Sequence, residues 1–225
     1  MSPVAAIVFW WFFFGATHTL FSSRSLRPRL VATLGTGPFL GVYSLVSVLT
    51  FVPLVRAYLS SVHSGVLLLP LASVPGLHTI AMLVAWASFA TAIGGLFQPS
   101  ALSMAGGEVV EARGLGRITR HPLFMSLAVW SLAHLLVNGF ATDVAFFGGF
   151  VAYSVLGCAH QDARKREAEG SRLSRYFAET SLVPFVAIAS GRNRLVVAEL
   201  PWLGLAVGAA LSTVIYLLHP WMFGS

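Results

Sequence analysis

The chain has 225 residues, of which 56% are hydrophobic and 10% charged, with a net charge of +6 and a mean hydropathy of +0.80. Soluble domains carry roughly 25% charged residues, so a water-covered globule is excluded. The single cysteine, Cys158, excludes an intramolecular disulfide, and without a Cys-x-x-Cys-His stretch a covalently attached haem is excluded as well.

Successive apolar runs predict an all-α membrane protein, a single transmembrane domain of about six spans at about 3–22, 37–57, 77–97, 122–138, 142–160 and 200–218. The first run has no Lys or Arg ahead of Arg24, so it reads as a retained helix rather than a secretory leader. Between the second and third spans, Gly65, Pro70 and Pro75 interrupt the apolar piece from Val62 to Pro75. That piece reads as an interfacial or re-entrant loop. The turn Asn138-Gly139-Phe140-Ala141-Thr142 joins the fourth and fifth spans as an antiparallel hairpin. A long loop at about 161–199 follows. Its first part is charged, and its second, SLVPFVAIASGR, is apolar but too short to span, so it is expected at the interface or folded back under the bundle.

Cations set the expected orientation. Arg24, Arg27 and Arg29 lie in the first loop, and Arg113, Arg117 and Arg120 in the third. Arg164, Lys165, Arg166, Arg172, Arg175, Arg192 and Arg194 lie in the fifth, so these three loops hold 13 of the 14 Lys and Arg residues. The positive-inside rule places them in the cytoplasm and both termini outside. No basic stretch carries interleaved aromatics, so no nucleic-acid partner is expected, and membrane lipids are the expected partners.

That topology gives each histidine a depth. His18, His121 and His160 fall near the basic side, whereas His63, His78 and His219 fall at or beyond the opposite face. His134 lies about 20 Å beyond His121 along its helix and points to a nearly opposite face. An imidazole within a span is costly unless partnered, which makes each a functional candidate, although a free carbonyl or a nearby threonine could satisfy it. His121 stands out because it precedes Pro122. A proline suits the first turn of a helix and holds the residue before it extended, so the imidazole projects from a stiff elbow.

Arg117 and Arg120 flank that elbow. Cations there suit a ligand with a flat apolar body and acidic edges, which arginine binds in bidentate fashion. Haem b, with two propionates and two histidines as axial ligands, fits this description. Positive-inside duty and lipid phosphates account for the same arginines without any cofactor.

Three stretches carry a family resemblance: THTLFSSRSLRPRL (17–30), YSLVSVLTFVPLV (43–55) and RITRHPLFMSLAVWSLAHLLVNGFATDVAFFGGF (117–150). With Asp162-Ala163-Arg164 after the last core span, the chain over about residues 1–166 resembles the NnrU family, which includes a haem-containing 15-cis-ζ-carotene isomerase. The resemblance implies haem b held by His18 and His121 as iron ligands and catalytic residues, with Arg24, Arg117 and Arg120 as cofactor-binding cations. It implies cis-trans isomerisation of a carotenoid-like substrate, or haem-linked gas or redox sensing in nitrogen-oxide metabolism, in a bacterial inner membrane. One departure is visible: plant members carry a cysteine just before Arg-His-Pro, where this chain has Arg117-Ile118-Thr119-Arg120. Arg-His-Pro followed by Glu167, Glu169, Tyr176 and Pro184 also resembles the isoprenylcysteine carboxyl methyltransferases. That alternative implies S-adenosylmethionine as the cofactor.

Overall fold

Apolar segments without water to bond must satisfy their own backbone, so they form helices. A computed structural model describes residues 1–102 and 111–223; residues 103–110 of the expected third loop and 224–225 lie outside the described residues. The helices are α1 (Pro3–Phe21), α2 (Leu26–Leu34), α3 (Thr36–Leu59), α4 (Leu77–Phe97), α5 (Leu115–Ile118), α6 (Pro122–Leu135), α7 (Ala141–Glu179), α8 (Val186–Ala189) and α9 (Trp202–Phe223). Among the described residues, α1, α3, α4, α7 and α9 are long and apolar enough to cross a membrane. The chain is an all-α membrane protein.

Two expected spans differ in length. Helix α6 has 14 residues, about 21 Å at 1.5 Å per residue, short of the roughly 30 Å hydrocarbon core. Helix α7 runs 39 residues, well past the end expected near His160. Ion pairs at helical spacing carry it through the charged stretch: Lys165 to Glu169 at 2.6 Å, Arg172 to Glu169 at 3.0 Å and Arg175 to Glu179 at 2.6 Å. The backbone leaves helical geometry inside α7 at Glu169, with φ −135° and ψ 23°.

The chain divides into two compact units, Met1–Pro75 with Leu135–Gly149, and Gly76–His134 with Phe150–Ser225. In the first, α1 packs on α3, and Tyr58 stacks on Phe146 at the start of α7 with ring centroids 4.1 Å apart. The segment after α3 is not helical; it pairs with the turn before α7 through a bridge between Leu67 and Phe140. Leu68 N–H donates to the Gly139 carbonyl and Ala141 N–H to the Val66 carbonyl, at 2.8 and 2.9 Å.

In the second unit, α4 packs along α9. Small residues let the two backbones approach, as is common between membrane helices. A Cβ added at Gly208 would sit 2.5 Å from the Ala90 carbonyl oxygen, whereas one added at Gly157 meets nothing within 4 Å. Gly208→Ala is therefore expected to cost about 1–3 kcal/mol through overpacking against a backbone that cannot yield. Gly157→Ala should hold or raise stability, since alanine is the better helix former. Thermal unfolding of the two variants in detergent checks the contrast.

Candidate functional site

The Arg-His-Pro elbow is built by local rules and then locked by distant backbone. Thr119 ends α5 in an extended conformation, φ −152° and ψ 143°, and Pro122 begins α6. The returning chain after α7 clamps this strand-like stretch. Arg120 N–H donates to the Ser181 carbonyl at 2.9 Å, and Phe185 N–H donates to the Ile118 carbonyl at 2.8 Å. The Thr119 hydroxyl donates to the Leu182 carbonyl at 2.6 Å.

His121 is buried, with 4% of its surface exposed. Its Nε2 lies 2.7 Å from Asp162 Oδ1 of α7. A carboxylate oxygen accepts, so Nε2 is the donor in this bond. Arg120 faces the other carboxylate oxygen, its Nε 3.4 Å from Asp162 Oδ2, with 9% of the side chain exposed. Its guanidinium carbon also stands 5.2 Å from the centre of the Phe177 ring. Burial pushes the Arg120 guanidinium below its ordinary pKa, with Asp162 opposing the shift. Neither Nε nor Nη1 of Arg120 has a hydrogen-bond acceptor among the described residues. A buried cation with open donors is rare, because an unmade bond to a charged group is expensive.

Arg117, expected beside Arg120 as an acid-binding cation, is committed elsewhere in the same unit. Its Nε and Nη2 donate to the two carboxylate oxygens of Glu199 at 2.7 and 2.9 Å, and Nη1 donates to Asn193 Oδ1 at 2.9 Å. Glu199 also accepts the Gly114 N–H at 3.0 Å. The Arg117 bonds first, and the Gly114 N–H second, hold the Glu199 carboxyl down at about 2 from an ordinary 4.5. A depressed carboxyl pKa stabilises the fold fully above the unfolded value and loses that contribution as pH falls through the folded one. Wild-type protein should therefore lose stability between about pH 4.5 and 2, and Glu199→Gln should lose less over that window. Melting temperatures of both in detergent across that range test it.

In the first unit, His18 lies on α1 facing α3. Its Nδ1 is 2.9 Å from the Phe14 carbonyl, which can only accept, so Nδ1 carries the proton and Nε2 the lone pair. Nε2 is 3.1 Å from the Ser47 hydroxyl, and the ring lies 4.1 Å from Phe14 and 5.0 Å from Tyr43, centre to centre. Arg24 is exposed in the turn after α1. The remaining candidates scatter. His134 Nδ1 donates to the Trp130 carbonyl at 2.8 Å, and His160 keeps a buried Nε2 without a hydrogen-bond partner among the described residues. Tyr176 is buried with Leu102, Leu173 and Phe177, while Glu169 is held by Lys165 and Arg172.

One cluster escaped the sequence reading. Asp143 in the first turn of α7 is fully buried and accepts from the Tyr58 hydroxyl at 2.9 Å. It also accepts from His63 Nδ1 at 3.0 Å and from the Phe140 N–H at 3.1 Å. The signal was present: Asp143 is the only acidic residue between Glu111 and Asp162, and a lone carboxylate beside a membrane span needs built partners.

The sequence pattern of the family described as "NnrU protein" matches residues 6–225. The chain is 27% identical over 238 residues to "15-cis-zeta-carotene isomerase, chloroplastic" of Arabidopsis thaliana, covering 100% of this chain and 62% of that protein. It is 35% identical over 82 residues to the protein of the same description from Zea mays, covering 36% of this chain and 22% of that one. The chain thus spans less than two thirds of the length of either relative. No solved structure matches.

Proposed function

Because the chain belongs to the NnrU family, we propose that it is a haem b membrane protein that isomerises a carotenoid-like polyene. In this reading His18 and His121 would hold the haem iron, and Arg120 would receive an acidic edge of the cofactor. The description of the plant relatives supports the reaction class. The observation that supports the cofactor is Arg120, a buried guanidinium whose Nε and Nη1 make no hydrogen bond among the described residues, adjacent in sequence to His121. A propionate is the acceptor such a group lacks.

The donor set fits the group. His18 holds its proton on Nδ1 against a carbonyl, the arrangement that orients a ligating imidazole and leaves Nε2 as the donor atom. His121 holds its proton on Nε2 against Asp162, which leaves Nδ1 as the donor atom and fixes the ring. Arg117 has no part in this reading, since Glu199 and Asn193 occupy its fork. When bound, ferrous haem supplies an electron-rich metal centre that lowers the barrier to rotation about a polyene double bond. The substrate is a lipophilic molecule entering from the bilayer, and the basic loops face the cytoplasm with both termini outside.

The test is the absorption spectrum of the detergent-purified protein, oxidised and dithionite-reduced. A Soret band is expected in wild type and lost in His18→Ala and in His121→Ala. Arg120→Gln should weaken haem retention by about tenfold or more, the worth of one charge-assisted hydrogen bond. A colourless protein that binds S-adenosylmethionine overturns the reading in favour of a membrane methyltransferase. A coloured protein that leaves a 15-cis polyene unchanged retains the haem and rejects the isomerase, which leaves gas or redox sensing.

A further inference from the structure

Residues 180–201, between α7 and α9, are held rigidly and yet display large apolar side chains outward. The holding is explicit. Ser181, Leu182 and Phe185 bond the backbone or hydroxyl groups of residues 118–120, and Glu199 and Asn193 grip Arg117. Arg192 Nη1 donates to the Ala178 and Thr180 carbonyls at 3.0 and 3.2 Å, closing the end of α7. Phe185 itself adopts φ +65°, a left-handed conformation that bulky residues rarely take unless the surroundings impose it.

The display is equally plain. Val183 is 56% exposed, Phe185 54%, Leu195 44% and Val197 54%. In water, a pinned loop would gain by turning these side chains inward or replacing them with polar ones. The level at which they sit explains them. The segment is bonded to the residues just before α6, and it runs directly into α9, whose first residues Trp202 and Leu203 are 56% and 71% exposed. The exposed apolar face is thus continuous in the chain with the exposed apolar start of α9. Arg194, also exposed, stands beside Leu195.

We propose that residues 183–197 form an interfacial anchor for anionic phospholipid. Val183, Phe185, Leu195 and Val197 lie in the boundary between headgroups and acyl chains, and Arg194 meets the phosphates. An apolar face with basic residues beside it is the pattern of segments that lie in the membrane plane. The anchor also holds the Arg-His-Pro elbow at a constant depth, because the same segment clamps residues 118–120. This inference stands independently of the haem reading, since it uses neither the imidazoles nor Arg120.

The experiment uses the full chain in lipid nanodiscs of phosphatidylcholine with phosphatidylglycerol. Spin labels are placed on Phe185→Cys and Val197→Cys, with Cys158 left in place because it is buried. Both labels should collide more often with oxygen than with a water-soluble nickel chelate. Preferential collision with the nickel chelate overturns the anchor. Labels shielded from both reagents also overturn it, pointing to a protein cover, and coupling between labels would identify that cover as a second copy. Arg194→Gln should reduce the preference for phosphatidylglycerol by about fivefold, which corresponds to about 1 kcal/mol for one cation at the surface. An unchanged preference removes the arginine from the proposal. Phe185→Gly keeps the left-handed backbone without strain, so a folded Phe185→Gly protein with undiminished lipid contact at label 197 and an unchanged lipid preference would show that Phe185 does not anchor.

Discussion

Asp143→Ala is expected to destabilise the protein by about 3–5 kcal/mol, the usual cost of removing one partner from a buried charged cluster. The carboxylate is fully buried, and its loss strands three donors: the Tyr58 hydroxyl, His63 Nδ1 and the Phe140 N–H. Its position adds to the effect, since a carboxylate in the first turn of α7 also meets the positive end of the helix dipole. The damage should centre on the segment after α3, which His63 ties to α7 alongside the Ser64–Thr142 bonds. Tyr58→Phe removes one donor and leaves the carboxylate two others, so it should cost only about 1 kcal/mol. Unfolding in detergent, followed by helical circular dichroism, ranks the two variants. A loss of under about 1 kcal/mol for Asp143→Ala would mean that water reaches these donors, contrary to the burial described.

A second large effect is expected at the elbow. Asp162→Ala leaves the buried Arg120 guanidinium without the carboxylate that faces it and the His121 Nε2 without its acceptor, at a cost of about 3–5 kcal/mol. The informative comparison is the double variant Asp162→Ala/Arg120→Met. Removing both charges abolishes the uncompensated cation while methionine fills much of its volume, so the double variant should be more stable than Asp162→Ala alone. Asp162→Asn falls between, because the amide oxygen still accepts from His121 Nε2 while the charge opposite Arg120 is gone. If the double variant is no more stable than the single one, the Arg120–Asp162 contact at 3.4 Å carries little energy and another group offsets the guanidinium charge.

These two carboxylates show where sequence reading succeeds and where it stops. The sequence marks Asp162 as part of Asp162-Ala163-Arg164 after the last core span, but not its partner His121. The His121–Asp162 bond joins residues 41 apart, the Arg117–Glu199 fork joins residues 82 apart, and Tyr58 reaches Asp143 across 85. No local pattern encodes such separations. For the same reason Arg117 and Arg120, near neighbours in the chain, read alike from sequence. In the structure one has a filled fork, and the other has two donors that make no hydrogen bond among the described residues.

What the sequence by itself determined is the solvent and the secondary structure. Hydropathy is a property of each residue, and a bilayer accepts a single apolar run only as a helix, so class and approximate spans follow without tertiary knowledge. The stiff elbow at His121 follows as well, because the restriction before a proline acts between adjacent residues. The length of α7 needed more, since its charged half is lined by ion pairs spaced three and four apart that hydropathy does not register, with a break in helical geometry at Glu169. Only the tertiary structure decided which group each of His18, His121 and His134 faces, which arginine is already paired, and which carboxylate is buried. Those outcomes depend on what packing brings within about 3 Å, where hydrogen bonding and desolvation act.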